Sequence, residues 1–73
     1  MNTKYTLLNQ YRIKKRMSMK QFARELGLDY FMVRKTLLGL TTPHDYNKVV
    51  FDEYWREHEE EILSVILEKE TVR

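Results

Sequence analysis

The residues of this chain best suited to binding chemistry are its cations, and most of them lie in the first half. Residues 1–43 contain nine Lys and Arg against two acidic residues, which gives a net charge of +7. Residues 44–73 contain four Lys and Arg against nine acidic residues, which gives −5. A surface rich in cations attracts polyanions, whereas an acidic surface is kept away from them. The sequence therefore predicts that the first half faces a polyanion.

The side chains that enzymes use as nucleophiles, bases and metal ligands form no set in this sequence. Ser18 and Ser64 both have explanations as helix-cap or helix-surface residues. His58 precedes the acidic run 59–61, but adjacent residues point to different faces of a helix and no neighbouring His or Cys completes a metal site. We therefore expect a protein that is not an enzyme and that binds no cofactor, metal or small-molecule ligand.

The composition limits the class of protein further. A chain of 73 residues forms one small domain, and a domain near this size buries only about 60% of the surface that its unfolded chain exposes. Without Cys it has no disulfide to stabilise it, so packed helices and a partner subunit must do so. No apolar run is long enough to span a membrane, and the N-terminus lacks a signal region. We expect a cytoplasmic protein without membrane contact.

Residues 18–39 have the pattern of two short helices joined by a tight turn. Ser18 and Asp29 are suited to begin helices, because their side chains can accept a hydrogen bond from a free backbone N–H. Gly27 and Gly39 are suited to end them, because the left-handed backbone conformation costs glycine little. The two helices are expected over residues 18–27 and 29–38.

The spacing Ala-x3-Gly-x5-Val predicts how these two helices meet. Ala23 is small enough for a close crossing, Gly27 turns the corner, and Val33 fills the angle. With two caps, a closing glycine and a basic lead-in, the pattern resembles the helix-turn-helix of the Cro/CI-type (lambda-repressor-like) DNA-binding family. The resemblance covers Leu8 to Pro43, roughly half the chain, and includes the lead-in segments Gln10-Tyr11-Arg12 and Lys15-Arg16-Met17-Ser18.

The resemblance implies that the two helices contact different parts of the DNA. In this family the second helix of the motif enters the major groove, while the first crosses the DNA backbone. Base contacts are therefore expected from four residues of the second helix: Tyr30, Phe31, Arg34 and Lys35. Phosphate contacts are expected from cations and hydroxyls around it: Lys14, Lys15, Arg16, Lys20, Arg24, Thr41 and Thr42.

Tyr30 and Phe31 depart from the family pattern, in which these positions usually carry Gln, Ser or Thr. Large rings can touch thymine methyl groups along the groove wall, or they can lie in a core or a protein interface. We place Tyr30 among the base-contacting residues. Whether Phe31 reads bases or belongs to the core is left open.

Helical periodicity predicts further helices on either side of the motif. A first helix over residues 5–16 is expected to turn Leu7, Leu8 and Tyr11 to one side. A helix that begins at Asp45 is expected to pack on the motif through an apolar stripe: Tyr46, Val49, Val50 and Tyr54, with Trp55 at its edge. The fold class is therefore a small all-α bundle of four to five helices.

Residues 62–67 are too apolar to form a free tail. One helical side carries Ile62, Val65 and Ile66 and another carries Leu63 and Leu67, and a single small core cannot cover both. We therefore expect a DNA-binding domain over residues 1–57, followed by an apolar C-terminal helix over 58–73 whose five apolar residues contact a second copy or another partner. The β-branched residues leave a short C-terminal strand as an alternative.

The motif, the basic half and the apolar tail together predict a regulator of transcription of the phage, plasmid or mobile-element type. It would bind duplex DNA as a homodimer and repress by excluding polymerase. One alternative is a protein-binding adaptor or inhibitor on the same scaffold, with Tyr30, Phe31 and the acidic half as its contact surface. Another is a DNA-binding accessory factor of a recombination or packaging complex.

Overall fold

The computed structural model describes residues 3–71, and the side chains of residues 4–67. The chain forms four helices, which are α1 (Thr3–Lys14), α2 (Met19–Leu26), α3 (Tyr30–Leu37) and α4 (Asp45–Thr71). This confirms the predicted all-α bundle. Residues 62–67 lie inside α4, so the alternative of a C-terminal strand is wrong.

The helices α2 and α3 end in the hydrogen-bond pattern in which a residue with left-handed backbone and the residue after it donate back into the last turn. After α2, the backbone N–H groups of Gly27 and Leu28 donate to the carbonyl oxygens of Arg24 and Ala23, each at 3.1 Å. α3 ends in the same way at Gly39. The two glycines have φ angles of 72° and 80°, in the left-handed region that was predicted for them.

The first helix ends in the same pattern without a glycine. The backbone N–H of Arg16 donates to Ile13 and that of Met17 donates to Arg12, both at 3.0 Å, and Arg16 has a φ of 61°. The guanidinium of Arg12 closes this turn by donating to the carbonyl oxygen of Met17 at 2.8 Å. Because the left-handed turn follows Lys14, α1 ends two residues earlier than predicted.

The core lies where α4 crosses α1 and α2. The ring of Phe51 meets Tyr5 of α1 edge to face, with centroids 5.3 Å apart. Tyr54 meets Phe22 of α2 in the same geometry, also at 5.3 Å. The fully buried residues come from all four helices: Leu8, Phe22, Val33, Thr36, Phe51 and Ile62. The α2–α3 unit is therefore held from behind by α1 and α4.

The buried stripe of α4 differs from the predicted one at its start. Tyr46 and Val49 are 68% and 51% exposed, whereas Phe51 is completely buried. The prediction was therefore wrong for the first turn, although Tyr54 is buried as expected. Apolar residues surround most of this part of the helix, so periodicity did not single out one side. Packing against the rings of α1 and α2 selects Phe51.

α4 continues without a break through the predicted boundary between residues 57 and 58. Its 27 residues span about 40 Å at 1.5 Å per residue, which matches the longest dimension of the molecule, 41 Å. No helix in the described part of the chain is both long enough and apolar enough to cross a membrane.

The predicted partner surface at the end of α4 is divided between its two sides. Ile62 is completely buried in the core, so its assignment to a partner interface is wrong. Val65 and Ile66 are partly buried and pack against the same core. Leu63 and Leu67 remain 36% and 48% exposed on the other side. Of the five predicted interface residues, only these two are exposed.

Candidate nucleic-acid interface

The candidate interface is built on α2 and α3, and each helix begins at the predicted cap. The Ser18 hydroxyl accepts a hydrogen bond from the backbone N–H of Gln21 at 3.0 Å. The Asp29 carboxylate accepts one from Met32 at 3.1 Å. Such a cap contributes about 1 kcal/mol to stability. The caps fix where α3 begins, and therefore which of its residues point outward.

The corner between α2 and α3 is closed by the residues that the spacing predicted. Ala23 and Val33 are only 3% and 0% exposed. Thr36 is also fully buried, and its hydroxyl donates to the sulfur of Met32 at 3.4 Å. Together with Leu37 these residues form the inner side of α3. Since the inner side is held in the core, the opposite side of α3 must face solvent.

The outward face of α3 consists of an apolar line with a cation on each side. Phe31 and Leu38 lie two helical turns apart along this line and are 66% and 45% exposed. Arg34 and Lys35 are both exposed, one on either side of the line. The structure thus brings three of the four predicted base-contacting residues onto one accessible surface.

The two aromatic residues at the start of α3 differ in exposure. Phe31, whose position was left open, lies outside the core. Tyr30, which was expected to read bases, is partly buried and packs against the core. Its ring centroid lies 5.0 Å from that of Phe31 at an interplanar angle of 71°, so Tyr30 supports the exposed ring from the side.

All seven predicted phosphate-contacting residues are exposed. Lys20 and Arg24 follow one another by a helical turn on the outer side of α2, and Lys14 and Arg16 lie at the end of α1. Thr41 and Thr42 are exposed in the connector after α3. They line an open groove of about 590 Å³ between this connector and α1.

Lys15 differs from the other predicted phosphate contacts because it is paired with the acidic half. Its ammonium donates to the carboxylate of Glu61 at 2.9 Å. This hydrogen bond lowers the pKa of Glu61 and raises the pKa of Lys15. Lys15 must give up this pair before it can contact a phosphate, so it is a weaker candidate than Lys14 or Arg16. No local pattern predicts the pair, because its members are 46 residues apart.

The structure shows what two residues outside the predicted set of sites do. Leu38 shares the apolar line of α3 with Phe31, and their spacing of seven residues in the sequence was the available signal. Arg12 looks like a further cation for DNA, but its guanidinium donates to Asn9 at 3.1 Å and to the carbonyl of Met17 at 2.8 Å. Arg12 therefore maintains the turn after α1.

His58, considered above beside the acidic run, has a packing role. Its ring stacks on that of Tyr54 with centroids 4.1 Å apart. Its Nδ1 lies 2.9 Å from the carbonyl oxygen of Tyr54 in the preceding turn of α4. The ring therefore covers the edge of the core.

Comparison with models of protein families, with curated proteins and with solved structures finds no match to this chain. The resemblance to the Cro/CI-type family stays a prediction that depends on the residues of the motif.

Proposed function

We propose that this protein binds double-stranded DNA and regulates transcription, with α3 as the helix that enters the major groove. The observation that carries the proposal is the outward face of α3. It presents exposed Arg34 and Lys35 beside two exposed apolar side chains, on a helix whose other side is buried. A capped helix fixed from behind can present base-reading side chains without rearrangement, which reduces the cost of ordering them on binding.

The chemistry of this face suits the edges of base pairs. Arg34 can donate two hydrogen bonds to O6 and N7 of a guanine, and Lys35 can reach the same atoms or a phosphate. Phe31 and Leu38 can contact the methyl groups of thymines. A well-placed bidentate contact discriminates against the wrong base by about 1–3 kcal/mol.

The cations around α3 would supply the part of the affinity that does not depend on sequence. Lys20 and Arg24 on α2 would contact phosphates on one side, and Lys14 and Arg16 would do so at the end of α1. Each neutralised phosphate releases condensed counterions, so the binding constant should fall as salt is added. The acidic α4 is repelled by the same phosphates, which favours an orientation with α3 towards the DNA and α4 away from it.

The regulator is proposed to act in the cytoplasm as a homodimer on a two-fold symmetric site. Two recognition helices on neighbouring half-sites would lie about 34–36 Å apart, one turn of DNA. Repression would follow from exclusion of polymerase at an overlapping promoter, as in regulators of phages, plasmids and mobile elements.

The exposed apolar line of α3 also favours a second candidate function. Phe31 at 66% exposure and Leu38 at 45% are residues that a protein partner could cover. An adaptor or inhibitor would use this line together with the acidic helix, and it would not need the flanking cations to face a groove.

A titration with duplex DNA of random sequence at several salt concentrations tests the proposal. The variant Arg34→Ala/Lys35→Ala should bind more weakly than the natural protein at every salt concentration, because it lacks two exposed cations of the binding face. Lys48→Ala, which removes one exposed cation from α4, serves as the control and should bind like the natural protein. Unchanged DNA binding by the double variant would contradict the role of α3, and absence of binding to any duplex would favour the adaptor.

A further inference from the structure

The outer face of α4, the side turned away from α1 and α2, carries exposed apolar residues at both ends. Tyr46 and Val49 lie near the start of the helix and are 68% and 51% exposed. Leu63 and Leu67 lie near its far end and are 36% and 48% exposed. They occupy the same side of the helix, because the intervals along it alternate between three and four residues. This is the spacing by which helices pair in coiled coils.

Three charged residues continue the same spacing between the apolar ends, in the order Glu53, Arg56, Glu60. All three are exposed. In a parallel pair of helices each would face its own counterpart, so like charges would meet at three successive levels. In an antiparallel pair, Arg56 can face Glu60 of the second copy, and the two-fold axis repeats this contact. The charges therefore favour the antiparallel arrangement.

We propose that a second copy of this chain packs antiparallel on the outer face of α4, with Arg56 of each copy beside Glu60 of the other. The inference rests on the homodimer in the proposed function and specifies its surface. The same register sets Val49 of each copy against Leu67 of the other, while Leu63 of each copy lies opposite Glu53 of the other. A shift of one repeat, which would pair Arg56 with Glu53 instead, leaves Leu67 beyond the start of the opposing helix.

The flanks of this face predict how the pair responds to salt. Glu57 and Glu59 lie beside the seam in each copy and repel the same residues of the other. Added salt screens this repulsion and also the attraction between Arg56 and Glu60, so the apolar contacts should carry a larger share of the pairing at high salt. Charged residues within a seam lower its stability but select its register and direction.

Sedimentation of the complete chain without DNA tests the pairing. The natural protein should form a dimer reversibly as its concentration is raised, and Arg56→Glu should weaken this dimer by about tenfold or more, because two sets of like charges then oppose one another. Lys35→Glu changes the net charge equally but lies on α3, so it should leave the dimer intact. A natural protein that stays monomeric, or a dimer that Arg56→Glu leaves unchanged, would overturn the inference.

Reversal of the partner charge separates the two registers. Arg56→Glu/Glu60→Arg should restore the dimer, because it exchanges the two members of the proposed pair. Rescue by Arg56→Glu/Glu53→Arg instead would overturn the proposed register. Circular dichroism of each variant should show unchanged helix content, because all three positions are exposed.

Single cysteines test the direction directly, because the natural chain contains none. Val49→Cys chains mixed with Leu67→Cys chains should form a disulfide between unlike copies under mild oxidation. Disulfides formed mainly between like copies would overturn the antiparallel arrangement. These measurements use no DNA, so their failure leaves the DNA-binding proposal intact. Failure of DNA binding likewise leaves the pairing to be judged by sedimentation.

Discussion

The α2–α3 unit and the α1–α4 pair are stabilised in different ways. The first depends on local features, because its caps and its glycine turns join residues three to five positions apart. The second depends on contacts between distant parts of the chain, such as the Tyr5–Phe51 ring pair and the ion pair of Lys4 with Asp52. Local features fix the geometry of a small unit, whereas distant contacts supply the core on which it rests.

The largest effect is expected from two adjacent residues of α4 that differ in burial. Ile62→Ala should lower the free energy of unfolding by about 2–5 kcal/mol, because it leaves a cavity in the core. Leu63→Ala, the matched control, should change it by about 0.5 kcal/mol or less, because Leu63 is exposed in the free protein. Denaturant unfolding at low protein concentration measures both. Equal losses would show that α4 is not rotated as described.

Alkaline pH should destabilise the fold through the buried phenols of α1 and α4. Burial raises the pKa of Tyr5, Tyr11 and Tyr54 above the ordinary value of 10.0. Above that pH the unfolded chain loses phenolic protons that the folded chain keeps. The unfolded state then binds fewer protons, so stability falls with pH, by at most about 1.4 kcal/mol per pH unit for each phenol.

Urea unfolding between neutral pH and the alkaline range measures this dependence. Tyr54→Phe should make stability fall less steeply with pH, because it removes one buried phenol. Tyr46→Phe is the control, because it removes a phenol that is 68% exposed and lies outside the core. If neither variant alters the slope of stability against pH, the buried phenol of Tyr54 is not a cause of the pH dependence.

On the α2–α3 side, replacement of thymine by uracil should reveal whether Phe31 contacts methyl groups. Uracil lacks only the methyl group, and burial of one such carbon is worth about 0.8 kcal/mol. The natural protein should therefore bind a thymine-containing duplex severalfold more tightly than the same duplex with uracil. Phe31→Ala should bind the two duplexes more equally. If the natural protein already binds both equally, Phe31 does not read methyl groups.

The smallest effect is expected at the turn after α1, where Arg16 occupies a conformation that suits glycine. Arg16→Gly should raise the free energy of unfolding by about 0.5–1 kcal/mol, because it relieves the left-handed strain at a φ of 61°. The same change removes a proposed phosphate contact, so DNA binding should weaken while stability increases. Thermal unfolding and a DNA titration of one variant measure both. A variant less stable than the natural protein would show that the backbone at Arg16 is not strained.

The sequence predicted the α2–α3 unit well because its signals are local. The caps at Ser18 and Asp29 and the turn at Gly27 each depend on chemistry within one helical turn, and the structure has all three. The same reasoning assigned Val33 to the angle between the two helices, and this residue is fully buried.

The remaining features depend on packing that no local pattern encodes. Apolar residues surround the first turns of α4, so the choice of Phe51 over Val49 for the core was made by the rings of α1 and α2. The sequence assigns Ile62 to a partner surface because a single small core cannot cover both apolar sides of residues 62–67, whereas α4 runs along the core and buries the side that carries Ile62. The ion pair of Lys15 with Glu61 likewise depends on the final positions of α1 and α4.

The rotation of α4 about its own axis has a consequence for the proposed dimer. Phe51 and Ile62 lock that rotation, because turning the helix by one residue would bring Glu61 or Leu63 to the place that Ile62 occupies. In the proposed pair, the direction of the outer face then sets how far apart the two α3 helices stand. Buried side chains that do not contact DNA would thereby set the half-site spacing to which the dimer binds. A small change in core packing would then change which DNA sites are bound.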